Sequence, residues 1–151
     1  MVDAGSSLPP FTLEDQEGRT VSTAEMTGRW VLLYWYPKAD TPGCTAQAQG
    51  LRDQIEAFDE LGCAVFGVSF DTPEANMAFR HKYRLPFRLL SDVEHTVALS
   101  FGVVDDLATE HPRRIAHLVD PEGLVVKCYD VEDPEFFAET VLDDLEDALN
   151  R

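Results

Sequence analysis

Lysine is scarce in this chain, cysteine is sparse and long apolar runs are missing, and each shortage removes a class of function. Of 151 residues, 28 are acidic and 12 basic, a net charge of −16. The lysines are Lys38, Lys82 and Lys127 alone. Such a surface repels nucleic acid and anionic lipid, so neither is expected as a partner. Two origins of the acidity stay open: an ordinary acidic protein, or one suited to a high-salt cytoplasm where screened carboxylates keep it soluble. No stretch of about 18 apolar residues exists to span a bilayer, and MVDAGSSLPP has neither a basic start nor an apolar core. A soluble protein without a secretory signal is expected. The cysteines, Cys44, Cys63 and Cys128, are odd in number and form no CxxC pair. They read as reduced thiols, which predicts a cytoplasmic location.

With 44% hydrophobic residues, the chain has material for one core, so residues 1–151 are read as a single domain. Phe11–Leu13 and Thr20–Val21 flank the turn-rich EDQEG and predict a small hairpin. The almost continuously apolar 30–36 (WVLLYWY) predicts a strand covered on both faces. Thr41 as N-cap and Pro42 in the first helical position predict a helix running towards Leu61. Residues 63–70 (CAVFGVSF) form the next buried strand, and Thr72 with Pro73 start a helix to about Tyr83. A short strand over 87–90, a short helix over 93–101 and a hairpin of 114–119 with 124–128 follow. Asp133 and Pro134 then open an amphipathic helix with Phe137, Val141, Leu145 and Leu149 on its apolar side. This order predicts an α/β fold of thioredoxin-like type, a central mixed sheet flanked by helices with an N-terminal β-hairpin extension.

The stretch YWYPKADTPGCT, residues 34–45, places Cys44 in the first turn of a helix directly after an apolar strand. Free backbone N–H groups and the helix dipole favour an anion at that place, and a thiolate is the reactive form of cysteine. Pro37, Thr41 and Cys44 combine a rigid turn, a hydroxyl and a thiol. A peroxide needs one oxygen held against a thiolate while the departing oxygen receives hydrogen bonds, and Thr41 with the local N–H groups supplies both requirements.

The segment WYPKADTPGCT followed by LRD at 51–53 resembles the active site of a peroxiredoxin, specifically the peroxiredoxin Q or bacterioferritin comigratory protein type. The likeness extends from Gly5, Pro9 and Phe11 through Ser91–Asp92 and Phe101–Val103 to RIAHLVDPEG at 114–123. It implies that Cys44 attacks peroxide and carries the product oxygen as a sulfenic acid, that Thr41 binds the peroxide oxygens and that Pro37 shields the sulfur. It also implies that Arg114, not Arg113, is the active-site arginine, stabilising the thiolate and donating hydrogen bonds to peroxide. Gln47 stands at the family's Glu or Gln position, where it either holds Arg114 or faces solvent. The implied substrates are hydrogen peroxide and organic hydroperoxides, the implied reductant is thioredoxin, glutaredoxin or a low-molecular-weight thiol, and no metal, haem or flavin cofactor is called for. Members of this type are often monomers, and a dimer stays open.

The pattern breaks at Gln49, where most members of the subfamily carry the resolving cysteine. Three routes then restore Cys44: direct reduction by an external thiol, which makes a one-cysteine enzyme and is the preferred reading; resolution by Cys63 or Cys128; or a disulfide between two subunits. Cys63 and Cys128 otherwise read as small core or edge residues. A peroxide sensor or holdase-like module with poor turnover is the alternative from another class. The segment 103–114 is shorter than the family's loop, with Val104 where tryptophan is usual. His117 reads as a packing residue facing away from Arg114, and His81, His95 and His111 lack partners at metal-ligand spacing.

Overall fold

The computed structural model describes residues 1–151, and its centre is one seven-stranded sheet. The strands are β1 (Thr12–Asp15), β2 (Thr20–Ser22), β3 (Trp30–Trp35), β4 (Cys63–Ser69), β5 (Arg88–Ser91), β6 (Ile115–Val119) and β7 (Val125–Asp130). Their order is β2-β1-β5-β4-β3-β6-β7. β3, β4 and β5 run parallel, while β1 and β6 pair antiparallel to their neighbours in that core. The hairpin extension is thus joined to the main sheet through β1 and β5. Asp15 secures the junction: its carboxylate accepts the N–H groups of Glu17 and Arg19, closing the turn, and pairs with Arg88 of β5 at 2.9 Å.

Strand periodicity divides the core into two faces. Leu32, Tyr34 and Tyr36 point to one side, where Cys44, Ala48, Leu51, Phe58, Phe79, Phe137, Val141 and Leu145 pack on them. These side chains come from α1 (Pro42–Asp53), α2 (Ile55–Glu60), α3 (Pro73–Tyr83) and α5 (Phe137–Leu149). Val31, Leu33 and Trp35 point the other way, onto Ala98 and Phe101 of α4 (Thr96–Phe101), onto the hairpin and onto Val104. Double coverage explains why 31–36 is apolar at every position and wholly buried.

Three helix boundaries and one helix face differ from the sequence reading. The helix expected to run from Pro42 towards Leu61 breaks at Gln54 (φ −108°, ψ 10°) into α1 and α2. The helix expected over 93–101 begins at Thr96, because the Asp92 carboxylate accepts the N–H groups of Val97 and Ala98 and fixes the first turn there. Pro134 opens a 3-10 turn over Pro134–Phe136 ahead of α5. Leu149 ends α5 42% exposed, outside the apolar side formed by Phe137, Val141 and Leu145. No helix is long and apolar enough to cross a membrane.

Candidate active site

β3 and α1 together place the thiol. β3 delivers the chain to the end of the sheet, residues 37–41 turn it, and Pro42 starts α1 so that Cys44 falls in the first helical turn. Cys44 is buried, with the residue 1% exposed. Two N–H groups point at its sulfur, one from the Lys38 backbone and one from the Arg114 guanidinium, each at 3.5 Å. Arg114 Nη1 also donates to Gln47 Oε1 at 2.9 Å. Gln47 is fully buried, which removes the solvent-facing alternative and makes it the group that aims the arginine.

Arg114 precedes β6 instead of opening it, and its carbonyl accepts the Val131 N–H at 2.9 Å, so its backbone is fixed beside the end of β7. Gly43 makes room for the guanidinium: a Cβ there would lie 2.8 Å from Arg114 Nη2. Arg113 turns outward and pairs with Asp105 at 2.7 Å. Of the two arginines, Arg114 is the one that reaches the Cys44 sulfur.

Thr41 occupies the N-cap position of α1 but does not cap it with its side chain. Its hydroxyl instead donates to the Lys38 carbonyl at 2.7 Å, which corrects the expected capping role. A hydroxyl that has committed its proton keeps acceptor lone pairs for an incoming O–H. Pro37 precedes Lys38 and is half-buried, at the start of the segment that closes over the sulfur.

The other cysteines are far from this place. Cys63 pairs with Trp30 at the opposite end of β3, which at roughly 3.3 Å per residue puts on the order of 15–20 Å of strand between it and Cys44. Burial pushes its thiol up to about 12. Cys128 faces His117 across β6 and β7 and packs with the cluster on the other side of the sheet. A disulfide requires Cα atoms within about 7 Å, so neither thiol meets Cys44 in this conformation, and all three cysteines are free. Gln49, on α1, carries no thiol. His117 lies on that other face too, edge-on to Phe101 with Nε2 against the Val2 carbonyl. No group of three or more His, Cys, Asp or Glu side chains is arranged to hold a metal ion.

The family model described as AhpC/TSA matches residues 4–128. The chain belongs to the AhpC/TSA family. Among its relatives there, it is 46% identical over 128 residues to the chloroplastic peroxiredoxin Q of Sedum lineare, covering 85% of this chain and 69% of that protein. It is 40% identical over 129 residues to a protein described as peroxiredoxin bcp from Coxiella burnetii, covering 82% and 85%. The chain spans 59% to 69% of the length of such plant relatives. Among solved structures of the family, the peroxidoxin BcpB of Mycobacterium tuberculosis superposes with a TM-score of 0.90 at 29% identity, covering 97% of each chain. The bacterioferritin comigratory protein of Xanthomonas campestris, described for its alkyl peroxide reduction activity, gives a TM-score of 0.87 at 27% identity, covering 97% of this chain and 99% of that one. The thioredoxin-like fold expected from the order of elements is therefore the fold of this family.

Proposed function

We propose that this chain is a thiol-dependent peroxidase that reduces hydrogen peroxide and organic hydroperoxides through Cys44, in a one-cysteine cycle renewed by an external thiol. The observation that carries the reading is the pair of N–H donors, Lys38 backbone and Arg114 guanidinium, converging on the sulfur of a buried Cys44 while Gln47 holds the arginine.

Those donors favour the thiolate, since each hydrogen bond is stronger to a charged sulfur than to a neutral one. The thiolate attacks the terminal oxygen of ROOH; an S–O bond forms as the O–O bond breaks, and the electron pair leaves on RO⁻. Arg114 stabilises that developing charge, and a solvent proton completes ROH. Thr41 Oγ1, its own proton given to Lys38, accepts the peroxide O–H and orients it. Cys44 is left as a sulfenic acid. One thiol, R′SH, condenses with it to a mixed disulfide and water, and a second releases Cys44 as R′S–SR′ forms.

The separation of Cys63 and Cys128 from Cys44 supports the external route, with thioredoxin, glutaredoxin or a small thiol as donor. Peroxide consumption with each reductant tests the reading. Cys44→Ser is expected to abolish it, and the double variant Cys63→Ser with Cys128→Ser is expected to keep sustained turnover. Activity in Cys44→Ser would overturn the mechanism, loss in the double variant would overturn the one-cysteine cycle, and a single stoichiometric burst would favour a sensor.

A further inference from the structure

Cys44 depends on the backbone of residues 37–41, because Lys38 supplies one of the two N–H groups on its sulfur. That segment has no regular structure of its own, and Asp40 adopts φ 59°, in the left-handed region. Asp tolerates that region, and the Thr41 hydroxyl ties the segment to itself through the Lys38 carbonyl, but its attachment to the rest of the fold comes from outside. Two contacts supply it. The Ala39 N–H donates to Asp71 Oδ2 at 2.8 Å, on the loop between β4 and α3. Asp40 then reaches the last turn of α3, where Lys82 Nζ donates to Oδ2 at 2.8 Å and the Tyr83 hydroxyl donates to Oδ1 at 2.6 Å. Both carboxylate oxygens are used, by residues more than forty positions away.

The far anchor is itself fixed. Arg84 caps α3 in the left-handed region, and Arg52, from the last turn of α1, donates to the Tyr83 carbonyl at 2.8 Å. The end of α3 therefore grips α1 at both extremities: its entry through Asp40 and its exit through Arg52. The contact stays at the surface, with Asp40 and Lys82 both exposed, so it is costly neither to make nor to break. Its value is positional.

We propose that Asp40, acting through Lys82 and Tyr83, is a positioning residue that straps the 37–41 segment to α3 and so keeps the Lys38 N–H and Thr41 where Cys44 meets peroxide. The proposal rests on the peroxidase reading above. Asp40 touches neither sulfur nor substrate; it acts through the backbone it holds. The carboxyl of Asp40 is held below its ordinary range by the Lys82 and Tyr83 hydrogen bonds, so the strap is intact at neutral pH.

The test uses Asp40→Gly, which keeps the left-handed backbone free of strain and removes only the side chain, together with Asp40→Asn and the pair Lys82→Met with Tyr83→Phe. Single-turnover oxidation of Cys44 by hydrogen peroxide is measured beside amide exchange of residues 38–45. Asp40→Gly and the Lys82/Tyr83 pair are each expected to slow oxidation by about tenfold, as small misplacements of reacting groups do, and to speed exchange in that segment. All three changes together are expected to do no more than either, because one contact is removed twice. Asp40→Asn, which still accepts from Tyr83, is expected to recover part of the rate. Unfolding midpoints should scarcely move, which separates positioning from stability. Unchanged rate and exchange in Asp40→Gly, or losses that multiply in the combined variant, would overturn the strap. Faster exchange in Asp40→Gly with a wild-type Cys44 that peroxide does not oxidise would uphold the strap and overturn the peroxidase reading.

Discussion

Gly43 shows how closely the groups around Cys44 are fitted. In α1 it is an unfavourable residue for a helix, costing roughly 0.5–1 kcal/mol relative to alanine, yet a methyl there would meet Arg114 Nη2 at 2.8 Å. Gly43→Ala is therefore expected to leave stability unchanged or raise it, while displacing the guanidinium and slowing Cys44 oxidation by ~10²-fold. Stopped-flow oxidation beside a denaturant curve checks this; a wild-type rate would mean that Arg114 is not needed where it stands. Residue-scale chemistry was well exposed in the sequence where it is local. Cys44, Thr41 and Pro37 lie within one short segment, and Arg114 could be chosen over Arg113 by register. The direction of Gln47 was open, because helix periodicity does not say whether a glutamine beside the core has a buried partner. Lys38 was missed, since its contribution is a backbone N–H and any residue but proline offers one. The work of Asp40 was missed because its partners are distant in sequence and its φ leaves no mark beyond a tolerance for Asp.

At the scale of elements, strands and helix starts were legible because they rest on apolar continuity and on Thr-Pro signals, as at Thr72, whose side chain does accept the Ala75 N–H. Breaks were not. Gln54 interrupts the run after α1 with no proline or glycine to announce it, and Asp92 resets the start of α4 through two side-chain bonds that spacing does not reveal. The sheet makes a sharper demand at Gly67 in β4. A Cβ there would lie 2.9 Å from Leu89 and 3.0 Å from the Tyr34 ring and hydroxyl. Gly67→Ala is expected to cost about 1–3 kcal/mol by overpacking, read as a lower denaturation midpoint at unchanged slope. An unchanged midpoint would show that β3, β4 and β5 yield more readily than their packing implies.

For the whole molecule, burial of titrating groups makes stability depend on pH. Burial pushes the Cys63 thiol up to about 12 from an ordinary value of 9.0. Between those values the unfolded chain loses a proton that the native one keeps, so stability falls as pH rises through this window. Burial also raises Tyr34, Tyr36 and Tyr129, so Cys63→Ala should flatten the alkaline decline in part. His117 acts at the other end: burial lowers its pKa from 6.5, the unfolded chain takes the proton first, and stability falls as pH drops below that value. Melting curves across pH for wild type and Cys63→Ala check the alkaline limb; identical slopes would contradict it. Net charge was plain in the sequence, but which groups are desolvated depends on how the sheet is covered.

Intact mass after one equivalent of hydrogen peroxide, with peptide mapping, tests the central claim most directly. The account predicts one added oxygen atom on Cys44, trapped by a sulfenic acid reagent, with Cys63 and Cys128 left as thiols. A stoichiometric intramolecular disulfide from Cys44 to either of them, or an unmodified Cys44, would contradict it.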